Sequence, residues 1–213
     1  MKIQILFLFI FFLAISIAEG QEKIYYNQTE FGVLAGRGVD NWMGESDTRI
    51  DFSIITFHGV RFGKKNNHVG GISVGFDQYE TISIMPVAFG YRALLGKENK
   101  ALLIGGLDLG GGMTFLEKTE KNEWGANWYE GGMMVSPSIG GYFPGKAGKT
   151  ALTISLAYKR QGLSLFSGVY DPNTASRPRP SAFSASSLPD GFSSLTETEY
   201  LFNSLVIRMG LSF

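Results

Sequence analysis

The chain has 213 residues, 44% of them hydrophobic and 14% aromatic, which is enough to bury the core of one domain or two small ones and too apolar for overall disorder. Its 19 basic and 19 acidic residues cancel, so no net field draws it toward nucleic acid. The absence of cysteine excludes disulfides, thiolate chemistry, cysteine zinc sites and a cysteine-linked lipid anchor, while 28 glycines favour short strands and tight turns over helices.

The first element is a routing signal. "MKIQILFLFIFFLAISIAEGQ" places one lysine before an apolar run from Ile5 to Ile17, then Ala18 and Gly20 at the small-residue positions before a cut. Residues 1–20 therefore read as a secretory signal peptide cleaved after Gly20. The rival reading is an uncleaved anchor, but the run is shorter than the roughly 20 apolar residues that a spanning helix needs. No later stretch is long and apolar enough to be a second helix, so any further membrane contact falls to strands.

Eight strands are predicted over residues 21–213, at 30–39, 48–61, 68–77, 81–95, 101–116, 128–143, 150–165 and 200–213. Three short connections share a Gly-Lys core: "FGKKNNHV", "LGKENKAL" and "PGKAGKTA". Each is a polar turn between two apolar-patterned runs, the mark of a tight hairpin. The links at 40–48, 117–127 and 167–199 are longer and more varied, and a short one lies at 77–81. Each strand has at least the roughly 9 to 11 residues needed to cross a bilayer at a tilt.

Period two is clearest in "TALTISLAYK", where Leu152, Ile154, Leu156 and Tyr158 take one face and Thr153, Ser155, Ala157 and Lys159 the other. In "GGMMVSPSIGGYF", Met133, Val135, Pro137 and Ile139 oppose Met134, Ser136, Ser138 and Gly140. In the last strand Leu205, Ile207, Met209, Leu211 and Phe213 oppose Ser204, Val206, Arg208, Gly210 and Ser212. The strand at 48–61 fits less well, because Ile54 and Ile55 adjoin, and a bulge is expected to repair its phase. Pro86 and Pro137 each remove a ladder donor.

Alternation fits either a soluble barrel with an apolar interior, such as a lipid-binding one, or a membrane barrel with an apolar exterior. The polar face decides, since it is mostly Gly, Ser, Ala and Thr with isolated charges, which suits the crowded lumen of eight strands better than a water-exposed surface. Arg208 sharpens this. Five residues from Phe213 it stands roughly 12 Å above the rim, where facing lipid costs about 2 to 4 kcal/mol, so it faces the lumen. The signal peptide, the eight strands with alternating turns and loops, and the closing "VIRMGLSF" resemble the small outer-membrane β-barrel proteins of Gram-negative bacteria, of the type of the OmpA membrane domain. The resemblance implies an all-β, eight-stranded antiparallel up-and-down transmembrane barrel in the outer membrane. It also implies that Leu205, Ile207, Met209, Leu211 and Phe213 form the signal read by the barrel-insertion machinery. Deleting Phe213 is then expected to impair assembly more than Phe213→Tyr does.

Candidate chemistry is sparse. His58 and His68, the only histidines, flank the first short turn. A lipid-modifying barrel enzyme would be expected to carry its histidine at the opposite end, near the outer leaflet, so no catalytic residue is assigned. Parity places Asp51, Asp77, Arg92, Asp108, Lys159 and Arg208 in the lumen, with Arg92, Asp108 and Arg208 low and Asp51, Asp77 and Lys159 high. Both signs occur in each tier, the pattern of a paired plug, and eight strands by themselves leave no aqueous channel. "GGLDLGGGMTF" lacks the Gly-Lys-Ser/Thr of a phosphate loop. Trp124, Trp128 and Tyr129 are expected as interfacial aromatics, and the Ser- and Pro-rich link at 167–199 as a mobile surface loop.

The function that these readings imply is structural or surface-interactive, exercised through the outer loops with a plugged lumen. The alternatives are a narrow channel or transporter, a lipid-modifying enzyme and a soluble lipid-binding barrel. No cofactor or metal is expected; the partners are outer-membrane lipids, the insertion machinery and an unnamed surface ligand, with a monomeric state.

Overall fold

The computed structural model describes residues 24–37, 48–63, 65–80, 82–96, 100–114, 116–145, 150–170 and 192–213. The signal peptide and most of the 167–199 link lie outside these residues. The strands are β1 Tyr25–Arg37, β2 Thr48–Phe62, β3 His68–Gln78, β4 Ser83–Leu95, β5 Leu102–Met113, β6 Glu120–Lys121, β7 Gly125–Pro144, β8 Ala151–Tyr170 and β9 Phe192–Ser212. Every pairing is antiparallel and neighbours follow the order β5-β4-β3-β2-β1-β9-β8-β7, while a β5–β7 pairing closes the ring. Eight long strands thus form a closed up-and-down barrel, as expected, with the two-residue β6 added on the β7 edge.

Side-chain direction follows the pleat. On β9, Ile207 and Met209 are 66% and 61% exposed, whereas Arg208 between them is 1% exposed. The same division runs around the ring: Phe31, Phe52, Ile72, Phe89, Leu107, Ile139 and Ile154 point out, while Glu30, Ser53, Ser73, Asp108, Ser136 and Ser155 are buried inside. An apolar exterior over a polar interior is the inverse of a soluble lipid-binding barrel, and that alternative falls.

Several boundaries and phases differ from expectation. β1 starts at Tyr25 rather than at residue 30, because its inward row of Tyr26, Gln28 and Glu30 carries no apolar signal. β2 needs no bulge: its register with β1 and β3 is unbroken, with Ile54 outside and Ile55 and Phe57 inside. Bulges occur instead between Gly131 and Met134 and between Val169 and Tyr170. The two ends of the predicted 167–199 loop, 167–170 and 192–199, are strand, and Tyr170 pairs with Phe192. The 117–127 link likewise holds the Glu120–Asn127 and Lys121–Ala126 pairs. Pro86 keeps register: β3 and β4 pair at Val74–Val87 and again at Asp77–Ile84, with the ladder open between. Pro137 opens the β7–β8 ladder in the same way between Val135–Arg160 and Ser138–Ala157.

The first short turn shows why Gly-Lys recurs. Gly63 has φ 89°, a conformation that favours glycine, and Asn66 N–H donates to the Gly63 carbonyl at 3.2 Å. The three short turns and Phe213 define one end of the barrel, here called the turn end; the other is the loop end.

Strand length is uneven. With 11 residues, β3 rises roughly 25 Å at about 3.3 Å per residue and a tilt near 45°, enough for one bilayer. With 20 residues, β8 rises roughly 45 Å by the same measure. β7, β8 and β9 therefore stand about 20 Å above the rest of the loop end as a three-stranded wall.

Candidate functional site: the lumen and the raised wall

Four layers fill the lumen. Nearest the turn end, Tyr26, Phe57, Val69, Leu94 and Ile104 form an apolar cluster, with the Tyr26 and Phe57 rings edge to face at 6.0 Å. A Cβ added to Gly90 would lie 2.6 Å from the Phe57 ring, so the small inward residue is the seat of a large one across the lumen. Above it the Arg92 guanidinium grips Asp108 with two nitrogens, at 2.9 and 3.0 Å, and lies 4.5 Å over Phe57. Ser73 Oγ donates to the same carboxylate at 3.2 Å. Such bidentate, ring-backed pairing offsets much of the cost of desolvating both ions.

The middle layer continues with Glu30, which accepts from Thr153 Oγ1 at 3.3 Å and Ser155 Oγ at 3.2 Å, and with Arg208, whose Nη2 donates to Ser136 Oγ at 3.2 Å. Lys159 pairs with Asp77 in full burial. Leu34, Ile82, Ile84, Leu163 and Val206 pack around the lumen above. At the loop end the Tyr79 and Phe202 rings stack at 4.7 Å, and Arg49 covers both at 4.8 and 4.7 Å while pairing with Asp51. Glu80 N–H closes this cap by donating to Asp51 Oδ1 at 3.1 Å.

All six lumen charges named from the sequence are buried within the ring. Four of them form two pairs, Arg92–Asp108 and Lys159–Asp77, while Asp51 is partnered by Arg49 and Arg208 by a serine hydroxyl. Sequence reasoning missed Arg49, although it shares parity with Asp51, and missed Glu30, which stood at the first residue of the predicted strand with no inward row before it to set its parity. It also did not foresee the apolar layers that separate the charges.

The aromatic trio does not form one band. Trp124 sits 78% exposed at the tip of the β6–β7 hairpin, where Asn122 Oδ1 accepts from the Trp124 and Gly125 amides at 2.9 and 2.8 Å. Trp128 is on the outer face of the wall, roughly 12 Å beyond Met133 at about 3.3 Å per residue and a 45° tilt. It stacks on Phe166 at 5.4 Å and meets Phe192, which stacks in turn on Tyr170. Its Nε1 donates to Glu130 at 3.0 Å. Tyr129 faces inward beside Tyr200 and Phe202, and lines a recess of about 430 Å³ with Glu117, Lys118 and Glu120. Burial first, then the nearby Tyr200, Glu117 and Glu120, raise its phenol pKa above the ordinary value.

Both histidines lie on the outer face near the turn end. His58 Nδ1 is 2.5 Å from the Tyr25 hydroxyl, and His68 Nδ1 is 2.6 Å from that of Tyr91. Among the described residues no three His, Cys, Asp or Glu side chains are placed to hold a metal. Leu205, Ile207, Met209, Leu211 and Phe213 all point outward, and Phe213 exchanges two backbone hydrogen bonds with Asn27, at 2.8 and 3.1 Å.

An apolar belt around a closed antiparallel ring, with a lumen of buried and mostly paired charges, defines a membrane-spanning β-barrel. No family model matches the chain, and no curated protein matches it by sequence. Among solved structures it is similar to the outer membrane protein OprG from Pseudomonas aeruginosa, with 10% identity and a TM-score of 0.44 over 89% of this chain and 94% of that one.

Proposed function

We propose that the chain is an outer-membrane barrel with a closed lumen, acting as a structural or surface-interaction protein through the raised wall and the connections at its loop end. In this reading the turn end faces the periplasm, the barrel-insertion machinery reads the strand that ends at Phe213, and no catalytic centre is involved. The observation that carries it is the contrast along β7–β9: the lumen below is packed with paired charges and stacked rings, and the wall above, about 20 Å tall, presents Trp128, Phe166, Phe192 and Tyr170 on its outer face. Half-buried aromatics stacked on a sheet are the common stuff of recognition surfaces.

A narrow channel is the second reading. It is favoured by buried polar atoms in the lumen that lack a hydrogen-bond partner, namely Asp77 Oδ1, Tyr79 Oη, Gln161 Oε1 and Arg208 Nε. Such groups are commonly met by water. Purified chain in planar bilayers separates the two readings. The closed-lumen reading expects no stable unitary conductance, and a reproducible conductance abolished by filling the lumen with Ser136→Leu would overturn it.

A further inference from the structure

Five of the strands present no polar break to lipid through the lower half of the belt, β3 carries His68 only at the lower edge, and β1 and β2 are interrupted higher up. On β2 the outward side chains run Phe62, Val60, His58, Thr56, Ile54, Phe52, so a polar pair interrupts an apolar run. On β1 the adjoining outward positions are Asn27 and Thr29, facing His58 and Thr56 across the ladder. These four side chains and Tyr25 make one connected patch. The Tyr25 hydroxyl meets His58 Nδ1 at 2.5 Å, His58 Nε2 meets Thr56 Oγ1 at 3.1 Å, and Thr56 Oγ1 meets Thr29 Oγ1 at 3.1 Å.

Depth decides what the patch is for. Counted up from Phe62, His58 and Thr56 stand roughly 9 and 14 Å above the lower edge of the belt, at about 3.3 Å per residue and a 45° tilt. A headgroup does not reach that depth, and hydrocarbon offers nothing to a hydroxyl or an imidazole. The local bonds leave donor and acceptor capacity unused, since each threonine hydroxyl and the asparagine amide can both give and take.

We infer that this face of β1 and β2 is the contact surface for a second copy of the chain. Two copies inserted in the same direction and related by a two-fold axis along the membrane normal bring equal depths together. Groups near the axis then meet their own duplicates and the others meet the neighbouring strand's groups at the same height, and groups that both donate and accept are self-complementary. A different membrane protein would need its own polar row at the same height. The flanking Phe31, Val33, Ile54 and Phe52 supply apolar packing above the row. The inference goes beyond the surface role proposed above and replaces the expected monomer with a dimer.

The chain's lack of cysteine makes the test clean. The full chain, reconstituted in phospholipid bilayers, is given Thr29→Cys, or Leu107→Cys on β5 across the ring as control, and treated with a mild oxidant. The expected result is a disulfide-linked dimer of Thr29→Cys at least several-fold above the control. Equal cross-linking of the two, or none, would overturn the inference, and capture of Thr29→Cys only by some other protein would do the same. A second chain carries Phe31→Cys as reporter together with Thr29→Val, Thr56→Val and His58→Leu. Heat-modifiable mobility verifies that its barrel is folded. Its cross-link should fall several-fold against Phe31→Cys alone, and an unchanged yield would show that the polar row does not hold the copies together.

Discussion

The same three strands build two unlike objects. In the belt, β9 alternates Leu205, Ile207, Met209 and Leu211 outside with Val206, Arg208 and Ser212 inside. In the wall the same strand carries Glu197 and Glu199 on that outer face and Thr196 and Thr198 on the other. Hydrogen bonding to β8 does not change at the boundary, since the ladder from Ser212 to Ser194 is continuous. What changes is the solvent. Backbone pairing is what makes a strand, whereas the period-two apolar signal marks only the segment whose two faces meet different media. The boundary itself is tied across strands, where Tyr158 Oη donates to Asn203 Oδ1 at 2.8 Å as the apolar row ends.

The largest effect should come from breaking a lumen pair, which belongs to the belt alone. Lys159→Met strands the Asp77 carboxylate in full burial, and it should cost about 3 to 5 kcal/mol in reversible urea unfolding of the chain in bilayers. Adding Asp77→Asn should restore most of the loss, because the removal of both charges leaves no orphan. A single-variant cost below about 1 kcal/mol would mean that water reaches the pair and that the lumen is open there.

A second comparison uses one strand and one face at two heights. Ile207→Arg places a cation in the belt and should cost about 2 to 4 kcal/mol in the same assay. Glu197→Arg changes charge by more on the wall, yet should stay within about 0.5 kcal/mol, because both side chains are hydrated. Similar costs at the two positions would show that the belt extends up the wall, and the height of the bilayer on this barrel would have to be redrawn.

This contrast also explains what the sequence showed and what it hid. β4, β5, β8 below Tyr158 and β9 below Asn203 were legible because lipid outside and a crowded lumen inside impose opposite chemistry on successive residues. Phe192–Tyr200 was not, since "FSSLTETEY" meets water on both faces and reads as a Ser- and Thr-rich loop. Asp77, Arg92, Asp108, Lys159 and Arg208 were found by parity from clear strands. Glu30 was hidden by the polar start of β1. Who pairs with whom was hidden by shear, because Lys159 and Asp77 are brought together across the lumen rather than along a ladder.

The smallest effect concerns the wall alone. Trp128 stacks on Phe166 and abuts Phe192, so Trp128→Ala should remove one stacked contact worth about 0.5 to 1.5 kcal/mol. The loss should be local. Among the described residues the wall strands β7–β9 pair only with one another and β6 above the belt, so they can loosen without opening the ring below. Hydrogen exchange should quicken at the amides of Ala126–Tyr129 and their partners Leu165–Gly168, while Leu152–Ala157 keep full protection. If the belt amides quicken to the same extent, the wall and the barrel unfold as one unit, and the solvent boundary at Tyr158 and Asn203 divides their surface chemistry without dividing their stability.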